Sequence, residues 1–143
     1  MSDEMLKLVL GGVLLVHGLG HGGALGALLW LRFRPQSSTG DWAAARSWLL
    51  PALPAEAATT LASAFWIAAL VGFALAACSF WGIVIPTDAW QFIALGSAVV
   101  SMTGVVLFIG TWPAFNTLAA MAVNLAVLVA VVIGWPPHSV FGG

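Results

Sequence analysis

Charge is what this chain has least of: four Lys or Arg and five Asp or Glu stand among 143 residues. A soluble domain ionises about a quarter of its positions, so a soluble globular domain is excluded. A net charge of −1 with scattered basic residues leaves no surface for nucleic acid and no polybasic tail for anionic lipid. Cysteine is nearly absent too. Cys78 is the single one, so no internal disulfide forms, and in its apolar setting it reads as a small buried hydrophobe. No Lys, Arg, Asp or Glu follows Asp88, which removes charged catalysis from the carboxyl half. The chain also lacks a Ser-His-Asp arrangement, paired carboxylates in an apolar run and a Gly-x-Ser-x-Gly elbow, so nothing points to hydrolysis. It has no charged ring for an ion channel, and no internal repeat of the kind that builds inverted-repeat transporters.

What is present is apolar length, at 62% hydrophobic residues. Four uncharged stretches run from Leu8 to Leu31, Ala57 to Ile85, Trp90 to Gly110 and Ala114 to Trp135. Each can cross a bilayer, since about 20 helical residues cover the hydrocarbon core. Strands are the weaker reading, because a membrane barrel shows segments of about ten residues with alternating polarity, which are absent here. The sequence therefore predicts an all-α polytopic membrane protein: one domain, an antiparallel bundle of four transmembrane helices over about 8–31, 57–82, 90–110 and 114–135. The first run is longer than a signal-peptide core and lacks a small-x-small exit before Arg32, so it is expected to be retained.

Arg32, Arg34 and Arg46 share the first connection, against Lys7 alone at the amino end. Positive residues stay inside, which predicts a cytoplasmic first loop and both termini outside a bacterial inner membrane. In that loop Asp41 suits a helix N-cap and Pro51 a stop, so a short interfacial helix is expected over about 41–50. Trp30, Trp42, Trp48, Trp81, Trp90, Trp112 and Trp135 fall at span ends or in this loop, as an aromatic belt requires. Trp66 alone is mid-span.

The organising stretch is Val16-His17-Gly18-Leu19-Gly20-His21-Gly22-Gly23. One turn apart, His17 and His21 share a helix face near mid-membrane, where an imidazole is costly unless something bonds it. Gly18, Gly22 and Gly26 form a small-residue stripe about 100° around the helix from them, suited to a closely packed neighbour or to self-association. In the second span Glu56 suits the first-turn dipole and begins a polar stripe with Thr60 and Ser63. Asp88 is expected to cap the third helix, in which Ser97, Ser101 and Gly104 make a weakly polar stripe. Asn116 and Asn124 share a face of the fourth, and His138 lies beyond it.

In a bundle, His17, His21, Ser63, Trp66, Ser101 and Asn124 fall in one mid-membrane slab, where bundles hold cofactors. His17, His21, Trp66, Ser101 and Asn124 are the candidate ligand-binding residues. His17 and His21 with Glu56 are the candidate metal set, one ligand short of what zinc takes. A bis-histidine haem is disfavoured, because an i, i+4 pair projects from one side, whereas a haem with one histidine, a metal ion or a quinone fits the inventory.

The segment Leu14-Leu15-Val16-His17-Gly18-Leu19-Gly20-His21 resembles the first helix of small bacterial four-span membrane proteins with a His-Gly-x-x-His signature, a set loosely similar to the DoxX-like group. That resemblance covers the first span and the four-helix layout, and implies a redox-accessory role. Three readings follow: a binding or accessory subunit, in a homo-oligomer or a larger membrane complex, holding a small apolar ligand at the histidine pair; a membrane oxidoreductase subunit with a histidine-bound metal, haem or quinone; and a small proton-coupled transporter using His17, His21 and Glu56.

Overall fold

The computed structural model describes residues 2–33, 45–137 and 140, apart from the Arg32 side chain. Four helices follow one another: α1 (Asp3–Phe33), α2 (Ala55–Trp81), α3 (Trp90–Leu107) and α4 (Ala114–Val132). All four are long and apolar enough to cross a membrane. No strand occurs among the described residues. α1 starts before the expected span, with Asp3 and Glu4 in its first turn, where carboxylates favour the helix dipole.

The buried face of α2 explains the packing. Trp66, Phe73 and Phe80 recur every seven residues, interleaved with Ala62, Ala69 and Ala76, and all six are buried. Large side chains fill the space between helices while the alanines let backbones approach, the main source of association where lipid is as apolar as the core. α1 and α3 pack on the two flanks of α2, and α4 packs on α3. α1 and α4 meet only marginally, so the bundle is unsealed along that side.

The glycine stripe is used in part. A side chain at Gly18 would press on Phe73 Cβ at 3.0 Å and the Leu70 carbonyl at 3.2 Å, and one at Gly22 would touch Leu70 at 3.5 Å. Gly26 faces open space and packs against nothing. Gly11 replaces it: the Trp81 indole occupies the room that a side chain there would need, and its N–H donates to the Lys7 carbonyl at 3.2 Å.

The connections differ from expectation in three places. The helix expected over 41–50 lies partly outside the described residues, and its described part, Ala45 to Leu50, is not helical. There the Ser47 hydroxyl accepts from the Leu50 N–H at 3.2 Å, a local turn that competes with helix. The Trp48 indole N–H donates to the Val106 carbonyl at 2.6 Å, one of the acceptors that the end of α3 leaves over. Asp88 does not cap α3; it sits in a single 3-10 turn, Thr87–Ala89, and no side chain bonds that helix start. Nor do all the tryptophans form a belt: Trp90 packs edge-on against Phe80 inside the bundle, with ring centroids 4.9 Å apart, and Trp112 is buried. Trp42 and His138 lie outside the described residues.

α2 ends at Gly82 in a left-handed conformation, φ 72°, with the Gly82 and Ile83 N–H groups bonded back to the Ser79 and Cys78 carbonyls. That is the Schellman pattern, which needs glycine for its positive φ. Two residues on, the fully exposed Val84 takes φ 68°, a strained choice for a β-branched side chain.

Candidate functional site

Three helices converge on one polar chain at mid-depth. α1 contributes His17 and His21, α3 Ser101 and α4 Asn124. His17 Nε2 lies 2.9 Å from Asn124 Oδ1, Asn124 Nδ2 donates to Ser101 Oγ at 2.8 Å, and Ser101 Oγ lies 2.8 Å from His21 Nε2. His21, Ser101 and Asn124 are essentially sealed from the surroundings, and His17 is half-buried. In an apolar bundle such groups are stable only when bonded to one another, and here each finds a partner on a different helix.

The roles follow from the donor inventory. A carbonyl oxygen can only accept, so His17 carries its proton on Nε2 and donates it to Asn124 Oδ1. The amide nitrogen can only donate, so Ser101 Oγ accepts, and its own hydroxyl hydrogen is then free for His21 Nε2. His17 Nδ1 is left with its lone pair. It has no hydrogen-bond partner among the described residues and is not one of the sealed, unpaired atoms. His21 Nδ1 is sealed and unpaired, as is the Trp66 indole nitrogen.

Aromatic rings hold the imidazoles in place. His17 and His21 meet edge to face with centroids 5.0 Å apart, and Phe73 of α2 lies edge-on to His17 at 4.6 Å. Trp112, from the turn between α3 and α4, reaches inward to 5.3 Å from His21, and Trp66 stands behind it at 5.1 Å.

The unsealed side between α1 and α4 forms a groove of about 510 Å³ over this chain. Val13, Val16, Gly20 and both histidines line it from α1, and Phe115, Asn116, Ala119 and Val123 from α4, with Trp112 at one end. Val13 and Val123 also border a second hollow of about 150 Å³, walled by Leu10, Phe80, Trp90 and Trp135. The two lie next to each other along the α1/α4 side, the first polar at mid-depth and the second apolar toward the termini.

Of the expected ligand-binding residues, His17 and His21 line the groove, while Ser101 and Asn124 sit behind them as their hydrogen-bond partners. Trp66 does not face the groove; it backs Trp112, and Trp112 is the wall that sequence reasoning missed. Ser63 takes no part in the polar chain. Ser97 bonds the Ile93 carbonyl of its own helix and packs over Gly72.

The structure does not assemble the metal set. Glu56 is exposed in the first turn of α2, beside a separate hollow with Pro54 and Thr60. Phe73, which meets the histidines, is 17 residues further along the same helix, roughly 25 Å away at helical rise. Among the described residues no three His, Cys, Asp or Glu side chains cluster, and the Nε2 atoms of both histidines are already committed to Asn124 and Ser101. Glu56 is too far to relay protons to the pair for the same reason. What the arrangement can do is offer one imidazole nitrogen, flanked by flat apolar walls, to a molecule that enters from the side.

Comparison of the chain with protein-family models, with curated proteins and with solved structures finds no match.

Proposed function

We propose that this small integral membrane protein binds a neutral, largely apolar molecule in the groove between α1 and α4, holds its polar end at His17, and serves as a binding or accessory subunit in a bacterial inner membrane with the first loop in the cytoplasm. The observation that carries the reading is a groove between α1 and α4 lined by His17 and His21, in which the Nδ1 of His17 is neither sealed nor hydrogen-bonded among the described residues. A ligand pocket is mostly apolar with a few placed polar groups, and this one has that make-up. Among the described residues no ionisable side chain other than the two histidines lines either hollow, so a molecule bearing a phosphate or carboxylate would lose its hydration with none of them to replace it. The committed Nε2 atoms and the remote Glu56 give a metal ion or a proton-relay transporter no comparable support.

Gly20 provides the test. It lines the groove, and a Cβ added there meets nothing within 4 Å, so Gly20→Leu starts in open space and projects a side chain into the groove. Protein purified in mild detergent is extracted and its neutral lipids are measured by mass spectrometry. The expected result is a neutral lipid retained by the wild type and lost from Gly20→Leu at unchanged thermal midpoint. The same lipid content in both proteins would overturn the reading.

A further inference from the structure

Any molecule that fills the groove between α1 and α4 also covers the polar groups along its wall, and a covered polar group costs free energy unless the occupant bonds to it. Two groups are in this position. One is His17 at mid-depth, whose Nδ1 is neither sealed nor bonded among the described residues. The other is Asn116 in the first turn of α4, an exposed amide in the same lining that makes no hydrogen bond among the described residues. Asn116 lies on the side of the first loop, because the end of α3, from which the chain turns into α4, is where Trp48 bonds the Val106 carbonyl. Asn116 and Asn124 are eight residues apart on α4, and Asn124 Oδ1 is 2.9 Å from His17 Nε2, so the two polar positions stand about 12 Å apart along the groove. Between them the lining is Gly20, Ala119, Ala120 and the ring of His21, whose Nδ1 is sealed and whose Nε2 is held by Ser101. Beyond His17, toward the termini, the hollow walled by Leu10, Val127 and Ala130 carries no hydroxyl, amide or imidazole.

We propose that the ligand is a neutral lipid of the leaflet on the first-loop side, with a hydroxyl-bearing ester head at Asn116 and a second oxygen, a hydroxyl within the acyl chain, at His17. The Asn116 amide both donates and accepts, which suits a head with hydroxyl and carbonyl groups and no charge. A hydroxyl in the chain can donate or accept, so it answers an imidazole nitrogen in either tautomer. The chain between the two oxygens lies over Gly20 and Ala119, and the rest continues past Val13 and Val123, which border both hollows. A lipid of the opposite leaflet would put its head against Leu10 and Ala130 and its hydrocarbon over Asn116, leaving that amide covered and unbonded. The inference rests on the groove being a ligand site, and adds what the ligand carries and which way it stands.

The test uses the purified protein in mild detergent and three probes that differ only in one hydroxyl: the glyceryl esters of 10-hydroxystearic, 2-hydroxystearic and stearic acid. Binding is read by native mass spectrometry. The 10-hydroxy ester is expected to bind about fivefold tighter than either of the others, the effect of one added hydrogen bond. It is also expected to move the His17 ring resonances of ¹⁵N-histidine-labelled protein, which the stearate ester leaves in place. Asn116→Leu is expected to weaken all three about fivefold and to keep their order. Equal binding of the three esters overturns the second contact, and tightest binding of the 2-hydroxy ester overturns its spacing from the head. Undiminished binding by Asn116→Leu overturns the orientation. If none of the three binds, the ligand class falls; if Gly20→Leu also retains the same lipid as the wild type, the groove falls with it as a ligand site.

Discussion

Asn124 is the residue on which the interior of the bundle depends most, because one amide answers both His17 on α1 and Ser101 on α3. Asn124→Leu keeps the volume and removes both bonds, leaving a sealed hydroxyl and an imidazole nitrogen without their partner. The expected loss is about 1–3 kcal/mol of unfolding free energy, read by denaturation in detergent. Adding Ser101→Ala is expected to cost less in the Asn124→Leu background than in the wild type, since only its bond to His21 is then left to lose; additive losses would show that the two groups act separately. The members of this chain were legible in the sequence because imidazole, hydroxyl and amide groups are expensive in an apolar span, so their presence there signals partners. Trp112 was not legible. An indole near a span end reads the same whether it points outward to headgroups or, as here, inward to His21.

Helix α1 shows how far a spacing pattern reaches. Gly18, Gly22 and Gly26 are equivalent in sequence, yet α2 lies against the first two only. Gly18→Leu is expected to force α1 from α2 and lower the thermal midpoint sharply, whereas Gly26→Ala is expected to be neutral or to stabilise by up to about 1 kcal/mol through helix propensity. Equal destabilisation by both would contradict the packing. Which glycines are used depends on the crossing of two helices, which no single helix encodes. The same applies to the segment 45–50, where the Ser47 turn and the Trp48 bond to α3 took precedence over the helix signals, and to Asp88, which the 3-10 turn Thr87–Ala89 holds away from the cap position. In the turn after α2, Val84→Asn keeps the left-handed backbone at lower strain, and a gain of roughly 1 kcal/mol is expected in the same denaturation assay.

At the scale of the molecule, four spans place Ser2 and Gly134 on one side and Ser47 on the other. In a Cys78→Ala background, single cysteines at Ser2 and Gly134 are expected to react with a membrane-impermeant thiol reagent from outside the cell, and one at Ser47 only after the membrane is opened. Labelling of Ser2 and Gly134 from opposite sides would refute the four-span arrangement; the reverse pattern would refute only the proposed orientation. The four apolar stretches made this architecture readable from hydropathy alone. The open side could not be read that way, because Val13, Val16 and Val123 are apolar whether they meet a helix, a ligand or lipid.

The marginal meeting of α1 and α4 also bears on how the protein is made. Because α2 packs on α1, and α3 on α2, the first three spans can associate as each leaves the insertion machinery, with no need to wait for the fourth. His17 then stays unanswered until Asn124 arrives, so α4 adds to its packing on α3 the one hydrogen bond that the His17 imidazole has, and a chain stalled before Ala114 would carry that imidazole unsatisfied.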